Sequence, residues 1–332
     1  MEYLSKNFIN LHELKKAELI EILSSAEQLK ADRNSERNLL DGKSFILLFD
    51  KPSTRTRISF ELAISELGGS CIYLDMKTTQ LGRGETIKDT AKVLSRYVDG
   101  IIIRNANHQD LIEFSNHSAI SIINALTNES HPCQIMADLM TLKECFGTID
   151  GLKVAWIGDG NNVANTWIQA STLFDFKLNM AIPKEYIPKK AILDIAKKSS
   201  KINITQNIDD AIKDANCIVT DTWLSMNDDE NERSKKIQIL NKYQVNRDLF
   251  AKAPIDAIFL HCLPAHRGQE VTDAVIDSDR SHVYQQAENR LHVQKAILKH
   301  CIPNYAKIPL IKFIIKFIPS LISLILMNSS DV

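Results

Sequence analysis

The sequence lacks the cysteine pattern of a metal-binding or disulfide-rich protein. Its six cysteines lie at positions 71, 133, 145, 217, 262 and 301, with no close pair among them. Zinc and redox motifs place cysteines a few residues apart, and disulfide scaffolds carry them at higher density. We therefore expect no metal, no disulfide framework and a reducing, cytoplasmic setting.

An excess of charge and a secretory signal are also missing. The formal net charge of the 332 residues is −1, so charge gives no support to a nucleic-acid or anionic-membrane partner. The N-terminus, MEYLSKNFINLHELKK, does not combine a basic start with an apolar run and a small-residue cleavage site. This disfavours secretion, and we expect no nucleic-acid partner.

Only one long apolar run is present, at the C-terminus. Residues 308–327 read IPLIKFIIKFIPSLISLILM, nearly long enough to cross a bilayer, but two lysines and two prolines interrupt them. A charge inside the bilayer is costly. We therefore expect residues 303–332 to be a packed or disordered tail of unknown role, in preference to a membrane-surface segment or a spanning helix.

Short apolar runs alternate with helical patterns along the chain. The first series of predicted strands is 44–49, 70–74, 101–104 and 120–125, and the second is 154–158, 178–182, 217–221 and 257–261. Predicted helices are 10–31, 58–67, 86–97, 132–145, 162–174, 188–199, 208–214 and 286–300, and the polar stretch 225–236 is predicted to be a mobile loop. This alternation predicts an α/β fold with two doubly wound parallel-sheet domains joined by interdomain helices.

Ligands of such sheets bind beyond the carboxyl ends of the strands, and the segment DKPSTRTR (50–57) lies at the first of these ends. It opens a helix, whose free N–H groups and positive dipole end favour an anion. Its hydroxyl groups and Arg55 and Arg57 add directed donors. A simple N-cap with exposed arginines is the alternative, but it does not need two arginines beside three hydroxyls. The segment therefore predicts a phosphate-binding turn, which differs from the nucleotide-binding pattern GxxxxGK[ST].

Other polar residues follow strands of the first series. Arg104 ends the apolar run IIIR, and because an unpaired buried charge is costly, it must reach a ligand or a surface ion pair. We favour the ligand. His131 and Gln134 begin a helix after the fourth strand. Both could donate to a carbonyl oxygen above the phosphate, although a lone histidine is more often structural.

Three polar segments follow strands of the second series. HCLP (261–264) directly follows a strand, and its cysteine could be a thiolate nucleophile, or it could bind ligand or handle protons. Asp221 is a carboxylate suited to an ammonium group. GDGNN (158–162) resembles half of a dinucleotide fingerprint, but a strand-to-helix turn explains it equally well.

Taken together, these motifs resemble the aspartate/ornithine transcarbamoylase family, most closely its ornithine-using members. The matching stretches are FDKPSTRTRISFE (49–61), QLGRGE (80–85), VLSRYVDGIIIR (93–104), HPCQIMADLMTL (131–142), WIGDGNNVA (156–164), DTWLSM (221–226), HCLPAHRGQEVTD (261–273) and QAENRLHVQKA (286–296). The resemblance implies transfer of a carbamoyl group from carbamoyl phosphate to the side-chain amine of L-ornithine, without a cofactor. It also implies a carbamoyl-phosphate-binding domain (1–145, completed by the C-terminal helix from about 286) and an ornithine-binding domain (150–285).

The resemblance assigns roles residue by residue. The implied carbamoyl-phosphate-binding residues are Ser53, Thr54, Arg55, Thr56, Gln80, Arg104, His131, Gln134, Cys262, Leu263 and Arg290. The implied ornithine-binding residues are Asn162, Asp221, Ser225 and Met226, and the implied catalytic residues are Arg55, Arg104, His131 and Cys262. Gln80 matches a position that reaches a neighbouring subunit's site, which implies a homotrimer, or a multiple of trimers, with shared active sites.

Two features depart from the family pattern. Asn227 stands where the family has a glycine, in the loop expected to close over ornithine, although asparagine tolerates positive φ better than most residues. The apolar stretch beyond about residue 302 has no family counterpart. Rival hypotheses are a transcarbamoylase for putrescine or aspartate, a non-catalytic binding protein and a dinucleotide-dependent oxidoreductase. DTWLSM argues against the first because it supplies groups for an α-amino acid with a side-chain amine.

Overall fold

The computed structural model describes residues 6–224 and 230–302 and contains two parallel sheets. The strands of the first sheet are β1 Ser44–Phe49, β2 Ser70–Asp75, β3 Gly100–Arg104 and β4 Ser121–Leu126, in the order β2-β1-β3-β4. The strands of the second are β5 Lys153–Ile157, β6 Lys177–Ala181, β7 Ile202–Thr205, β8 Cys217–Thr220 and β9 Ile258–His261, in the order β7-β6-β5-β8-β9. The predicted fold class is confirmed.

Helices cover both sheets. They are α1 Lys16–Ala31, α2 Thr54–Glu66, α3 Ile87–Leu94, α4 His108–His117, α5 Pro132–Phe146, α6 Asn162–Leu173, α7 Lys190–Lys197, α8 Ile208–Ile212, α9 Glu230–Leu240, α10 Arg247–Phe250, α11 Asp273–Ile276 and α12 Val283–Cys301. Short 3-10 turns lie at Leu11–Glu13, Met76–Thr78, Leu81–Arg83, Lys184–Tyr186 and Asn241–Tyr243.

Several elements differ from the sequence prediction, which contained no helix at α4, α10 or α11. The expected mobile loop is wrong for residues 230–236, which lie in α9, whereas residues 225–229 are outside the described residues. ENERSKKIQIL is rich in helix formers, but Leu240 alone is buried, so no apolar stripe announces the helix. The strand β7 was not predicted, because none of its four residues is fully buried at the edge of the sheet and they form no apolar run.

The order of the strands creates a ligand-binding crevice in each sheet. β1 lies between β2 and β3, and β5 lies between β6 and β8. In each sheet the chain therefore first adds strands on one side of the central strand and then crosses to add strands on its other side. Such switch points open a crevice at the carboxyl ends of the strands. The first crevice holds the segment after Phe49 and its register partner Arg104. The second holds the segments after Ile157 and Thr220.

The last helix returns to the first sheet. α12 packs against α1, α2 and α5. Lys295, fully buried in α12, donates from Nζ to Glu66 Oε2 at 3.1 Å and to the carbonyl oxygen of Arg33 at 2.7 Å. These bonds tie α12 to the end of α2 and to the chain after α1. They fix the helix that carries Arg290 against the helix that carries the predicted phosphate-binding turn.

No helix within residues 6–224 and 230–302 is both long enough and apolar enough to cross a membrane. The predicted tail, 303–332, lies outside the described residues. Its packing and its relation to membranes therefore stay predictions.

Candidate active site

The first turn of α2 is open to an anion. Ser53 occupies the N-cap position without making a side-chain capping hydrogen bond, and the first N–H groups of a helix have no intrahelical acceptors. The Ser53 hydroxyl instead accepts from Arg104 Nη1 at 3.4 Å. The alternative hypothesis of a simple N-cap is therefore not supported, and the turn keeps the donors that bind anions at helix N-termini.

Three guanidinium groups meet beside this turn, from α2, β3 and α12. Burial lowers the pKa of Arg290 to about 10, and the positive charges of Arg104 and Arg55 act in the same direction. Burial also lowers the pKa of Arg104, with Asp50 opposing and Arg55 adding to the shift. Arg290 Nη2 donates to Thr56 Oγ1 at 2.8 Å, but its buried Nε has no hydrogen-bond partner among the described residues. Crowded positive charge with an unsatisfied donor favours a bound anion.

Not every predicted donor joins this cluster. Arg57 donates from Nε to Glu61 Oε1 at 2.8 Å, and its guanidinium lies 4.0 Å from the centre of the Tyr73 ring. The sequence prediction that Arg57 adds a donor to the anion site is therefore wrong. Thr54 and Gln80 are exposed, and no hydrogen bond within the described chain links the side chain of Gln80 to the cluster.

The start of α5 contributes two buried polar side chains. His131 is at the N-cap position, and its backbone N–H donates to Thr166 Oγ1 at 2.9 Å, which links α5 to α6. Burial lowers the pKa of His131 well below its ordinary value, and Arg290 and Arg104 add to the shift, so the imidazole is neutral. Within the described residues, His131 Nδ1 and Gln134 Oε1 are buried without hydrogen-bond partners. Both atoms are available to a polar ligand.

Asp221 is the polar centre of the second crevice. Its Oδ1 accepts from Cys262 Sγ at 2.9 Å and from the Thr222 N–H at 2.8 Å, and its Oδ2 accepts from Asn161 Nδ2 at 2.8 Å. Burial raises the pKa of the Cys262 thiol well above its ordinary value, and the negative charge of Asp221 adds to this. Cys262 is therefore a protonated thiol that donates to a carboxylate. The alternative of a thiolate nucleophile is not supported.

The turn after β9 is held by a buried histidine and a buried glutamate. His261 Nδ1 accepts from the Leu263 N–H at 2.8 Å, and His261 Nε2 lies 3.3 Å from Glu270 Oε1. Glu270 Oε1 also accepts from the His266 N–H at 2.6 Å. Leu263 has φ 57°, a left-handed conformation that is unfavourable for leucine. The histidine and the glutamate thus fix the backbone that presents Cys262 and Leu263.

The remaining predicted ornithine-binding residues divide into two groups. Asn162 is the first residue of α6 and donates from Nδ2 to the carbonyl oxygen of Thr127 at 2.8 Å, so it lies between the two crevices. Ser225 and Met226 lie outside the described residues, as does Asn227. Their roles stay predictions.

Comparisons with known proteins match almost the whole described chain. The profile of the aspartate/ornithine carbamoyltransferase carbamoyl-P binding domain matches residues 6–144, and that of the Asp/Orn binding domain matches residues 150–301. The chain belongs to the aspartate/ornithine carbamoyltransferase family. The predicted resemblance is confirmed.

Individual relatives of this transcarbamoylase chain are similar over their full length. An ornithine carbamoyltransferase of Bradyrhizobium diazoefficiens is 49% identical over 89% of this chain and 97% of that protein. One of Methanocorpusculum labreanum is also 49% identical, with the same coverage of both chains. The solved ornithine carbamoyltransferase of Pyrococcus furiosus superimposes with a TM-score of 0.85 at 42% identity, covering 91% of this chain and 98% of its own. The matched ranges end at residue 301, before the apolar stretch.

Sequence reasoning on this transcarbamoylase assigned no role to three polar residues of the crevices, of which Asp138 and Asp159 are buried and Asn161 is half-buried. Asn161 caps α6 through Oδ1 and also donates to Asp221. Asp138 accepts from Gln134 Nε2 at 2.9 Å, and burial raises its pKa to about 7. Asp159 lies 3.0 Å from Lys236 Nζ of α9, and burial raises its pKa to about 6. The spacing of Asp138, four residues after Gln134 on a predicted helix, was the one signal that pointed to such a contact.

One group of side chains has the composition of a metal site. Ligand atoms of Asp221, His261 and Cys262 lie within 4.8 Å of one another. However, His261 Nδ1 already accepts from a backbone N–H, and the Cys262 thiol is protonated. The expectation that no metal or cofactor takes part stays a prediction.

Proposed function

We propose that the chain is an ornithine carbamoyltransferase, which transfers the carbamoyl group of carbamoyl phosphate to the side-chain amine of L-ornithine and releases L-citrulline and phosphate. The relatives at 49% identity carry this name. The observation that carries the proposal is the presence of two sites of opposite charge. A helix end without a side-chain cap, beside three guanidinium groups, suits a phosphate, and a carboxylate that accepts a hydrogen bond from a neutral thiol suits an amine.

The phosphate is assigned to the first turn of α2. Its oxygens accept from the free N–H groups of the helix, from the hydroxyls of Ser53, Thr54 and Thr56, and from Arg55. Negative charge grows on these oxygens as the bond between the carbonyl carbon and the bridging oxygen breaks. Donors that are already in place stabilise this charge without reorganisation, which is how fixed hydrogen-bond donors lower a barrier.

The carbamoyl group is assigned to Arg104, His131, Gln134 and Arg290. Arg104 and Arg290 are cationic and His131 is neutral, so all three donate to the carbonyl oxygen without taking a proton from the reaction. The Gln134 Oε1 accepts from the carbamoyl NH₂ group, and Cys262 and Leu263 close the pocket. This polarises the carbonyl carbon and aims it at the second crevice.

The neutral amine of ornithine attacks that carbon. We assign ornithine to Asn162, Asp221, Ser225 and Met226, with Asp221 and Cys262 steering the amine. The nitrogen forms the new C–N bond, the bond to the phosphate oxygen breaks, and the proton lost by the nitrogen is balanced by release of hydrogen phosphate. An ornithine amine is mostly protonated near neutral pH, so the rate rises with pH while the neutral form becomes more abundant.

We further propose a homotrimer, or a multiple of trimers, with shared active sites. Gln80 is exposed on the segment after β2, where it is free to reach another subunit. Apolar side chains on the same domain are also exposed: Ile58 by 50%, Leu62 by 42% and Ile72 by 59%. Exposed apolar surface of this kind marks protein–protein contacts. Sedimentation of the full chain tests the assembly, and a monomer that is fully active contradicts it.

We place the reaction in arginine metabolism in the cytoplasm. Six unpaired cysteines among the described residues suit a reducing compartment. The 1–145 unit with α12 is assigned to carbamoyl phosphate, and the 150–285 unit to ornithine.

The purified full chain tests the reaction. Citrulline formation is followed with ornithine as the acceptor, and putrescine and aspartate are the competing acceptors. We expect turnover with ornithine and at least roughly a hundredfold less with the others, because the site's polar groups would be left unpaired. Preferred use of either competitor would contradict the proposal.

A matched pair of variants tests the phosphate-binding turn. Arg55→Gly removes the guanidinium beside Arg104 and Arg290, and we expect it to abolish carbamoyl phosphate binding while the chain stays folded. Arg57→Gly, two residues along the same helix, removes an arginine that is exposed and paired with Glu61. We expect near-parent kinetics for this control. Normal turnover of Arg55→Gly would show that the phosphate binds elsewhere.

A further inference from the structure

Asp138 holds the side-chain amide of Gln134 in one orientation. Gln134 Nε2 donates to Asp138 Oδ1 at 2.9 Å, one helical turn along α5. Both side chains are buried, with exposed fractions of 0% and 2%. An ionised carboxylate is only an acceptor, so it selects the NH₂ end of the amide.

This contact leaves the oxygen end of the amide without a partner. Gln134 Oε1 is buried, and no hydrogen-bond donor reaches it within the described residues. A buried acceptor in this state is unfavourable unless a ligand or water supplies a donor. Gln134 lies one turn after His131, whose pKa is lowered by burial and further by the charges of Arg290 and Arg104. The unpaired oxygen therefore belongs to the end of the crevice where the acyl group is assigned.

We propose that Asp138 is a positioning residue that makes the site specific for acyl phosphates that carry an NH₂ group. This inference rests on the proposed function. Carbamoyl phosphate and acetyl phosphate differ only in NH₂ against CH₃ on the carbonyl carbon. The NH₂ group donates to Gln134 Oε1, whereas a methyl group leaves that buried oxygen unpaired. Asp138 does not touch the substrate and acts through Gln134.

Charge alone predicts the opposite effect of removing Asp138. The carboxylate is close enough to Arg290 for the two charges to interact. Loss of a negative charge beside the anion site strengthens the binding of phosphate compounds. Loss of the amide orientation weakens the binding of carbamoyl phosphate alone. The two effects therefore have different signs, and measurements on several ligands separate them.

The experiment compares Asp138→Leu and Asp138→Asn with the parent at pH 8. Burial raises the pKa of Asp138 to about 7, so the parent carboxyl is ionised there. With ornithine saturating, we measure the KM for carbamoyl phosphate and the inhibition constants of acetyl phosphate and inorganic phosphate. For Asp138→Leu we expect the KM to rise about tenfold, the effect of losing one hydrogen bond of typical strength, while neither inhibition constant rises. Asp138→Asn retains an acceptor for Gln134 and should return the KM to within about threefold of the parent.

A double-mutant cycle tests whether Asp138 acts through Gln134. Gln134→Leu alone should reproduce the loss of carbamoyl phosphate affinity, and adding Asp138→Leu should cause no further loss. Full additivity of the two changes would overturn the proposal. So would an equal rise in the KM and in both inhibition constants, or an unchanged KM.

Folding and function are controlled separately. The melting temperature identifies a variant that does not fold, and Asp138→Ala then replaces Asp138→Leu with the same expectations. If no variant without a polar group at 138 folds, Asp138→Asn still decides, because its amide can also present its NH₂ end to Gln134. We then expect the KM to rise by no more than about threefold while the inhibition constant of acetyl phosphate does not rise, and an equal rise in both would overturn the proposal. A parent chain that does not carbamoylate ornithine refutes the proposed function instead.

Discussion

Arg290 is predicted to lower the stability of the protein while it binds substrate. Its side chain is 3% exposed, and burial lowers its pKa from the ordinary value of arginine to about 10. At pH 8 the Arg290 guanidinium is protonated in both the folded and the unfolded chain, so folding carries the full cost of burying its charge. That cost is about 3 kcal/mol, at about 1.4 kcal/mol for each pKa unit. The hydrogen bond to Thr56 recovers about 1 kcal/mol. Arg290→Met removes both contributions with a side chain of similar length, so we expect a gain of about 2 kcal/mol in the free energy of unfolding.

The same substitution should strongly impair carbamoyl phosphate binding. The buried Nε of Arg290, which lies beside the proposed acyl group, has no hydrogen-bond partner within residues 6–224 and 230–302. A hydrogen bond from a charged donor contributes about 1.5–3 kcal/mol, so the KM for carbamoyl phosphate should rise roughly 10- to 150-fold. Thermal and urea unfolding without ligands measure the stability, and the citrulline assay measures the kinetics.

Arg280→Met is the matched control. Arg280 donates to the carbonyl oxygens of Phe250 and Pro254 and stacks on the Phe250 ring at 3.8 Å, remote from the proposed site. We expect this variant to lose stability and to keep its KM, the reverse of Arg290→Met. If Arg290→Met is destabilised by more than about 1 kcal/mol, the cost that we assign to its burial is wrong. If its KM is unchanged, Arg290 does not bind the substrate.

Two further predictions concern buried side chains behind the site. His261→Asn keeps an acceptor near the position of Nδ1 for the Leu263 N–H, whereas His261→Gln loses it. Only the glutamine variant should therefore raise the KM for carbamoyl phosphate, by roughly fivefold or more, because the left-handed conformation of leucine costs about 1–2 kcal/mol. Equal kinetics of the two variants would argue against this role. The raised pKa of Asp138, about 7 against 3.8, means that the folded chain binds this proton more tightly than the unfolded chain. The stability it contributes is therefore present at low pH and is lost as pH rises through about 7. Between pH 5 and pH 8, urea unfolding should show the parent losing about 3 kcal/mol relative to Asp138→Asn, and parallel pH profiles would refute the assignment.

Sequence patterns were sufficient for the elements that are strongly apolar or strongly periodic. The strand Ser44–Phe49 was predicted with the observed bounds. The alternation of strands and helices also predicted the parallel sheets, because a parallel connection needs a crossover. The short edge strand β7 and the polar helix α9 were not predicted, since neither buries enough apolar surface to produce a recognisable pattern of apolar residues in the sequence.

The candidate site was predicted where its residues directly follow strands. Arg104 and Asp221 were identified as polar residues that end apolar runs, and the turn 50–57 by its hydroxyls and arginines. The same local logic wrongly included Arg57, because sequence spacing cannot show that its guanidinium turns back to Glu61 and Tyr73. The direction of a side chain depends on the partners around it.

What the sequence by itself determined is the fold class and the family, because these depend on residues that are neighbours in the chain, and the same local pattern led to the proposal that the turn after β1 binds an anion. Only the tertiary structure decided which distant groups meet. Arg290 reaches Thr56 across 234 positions of sequence because α12 folds back against α2. Likewise, Cys262 is a neutral thiol because folding buries it against the carboxylate of Asp221. Burial and the proximity of charges set the state of these groups, and both arise only when the chain is packed.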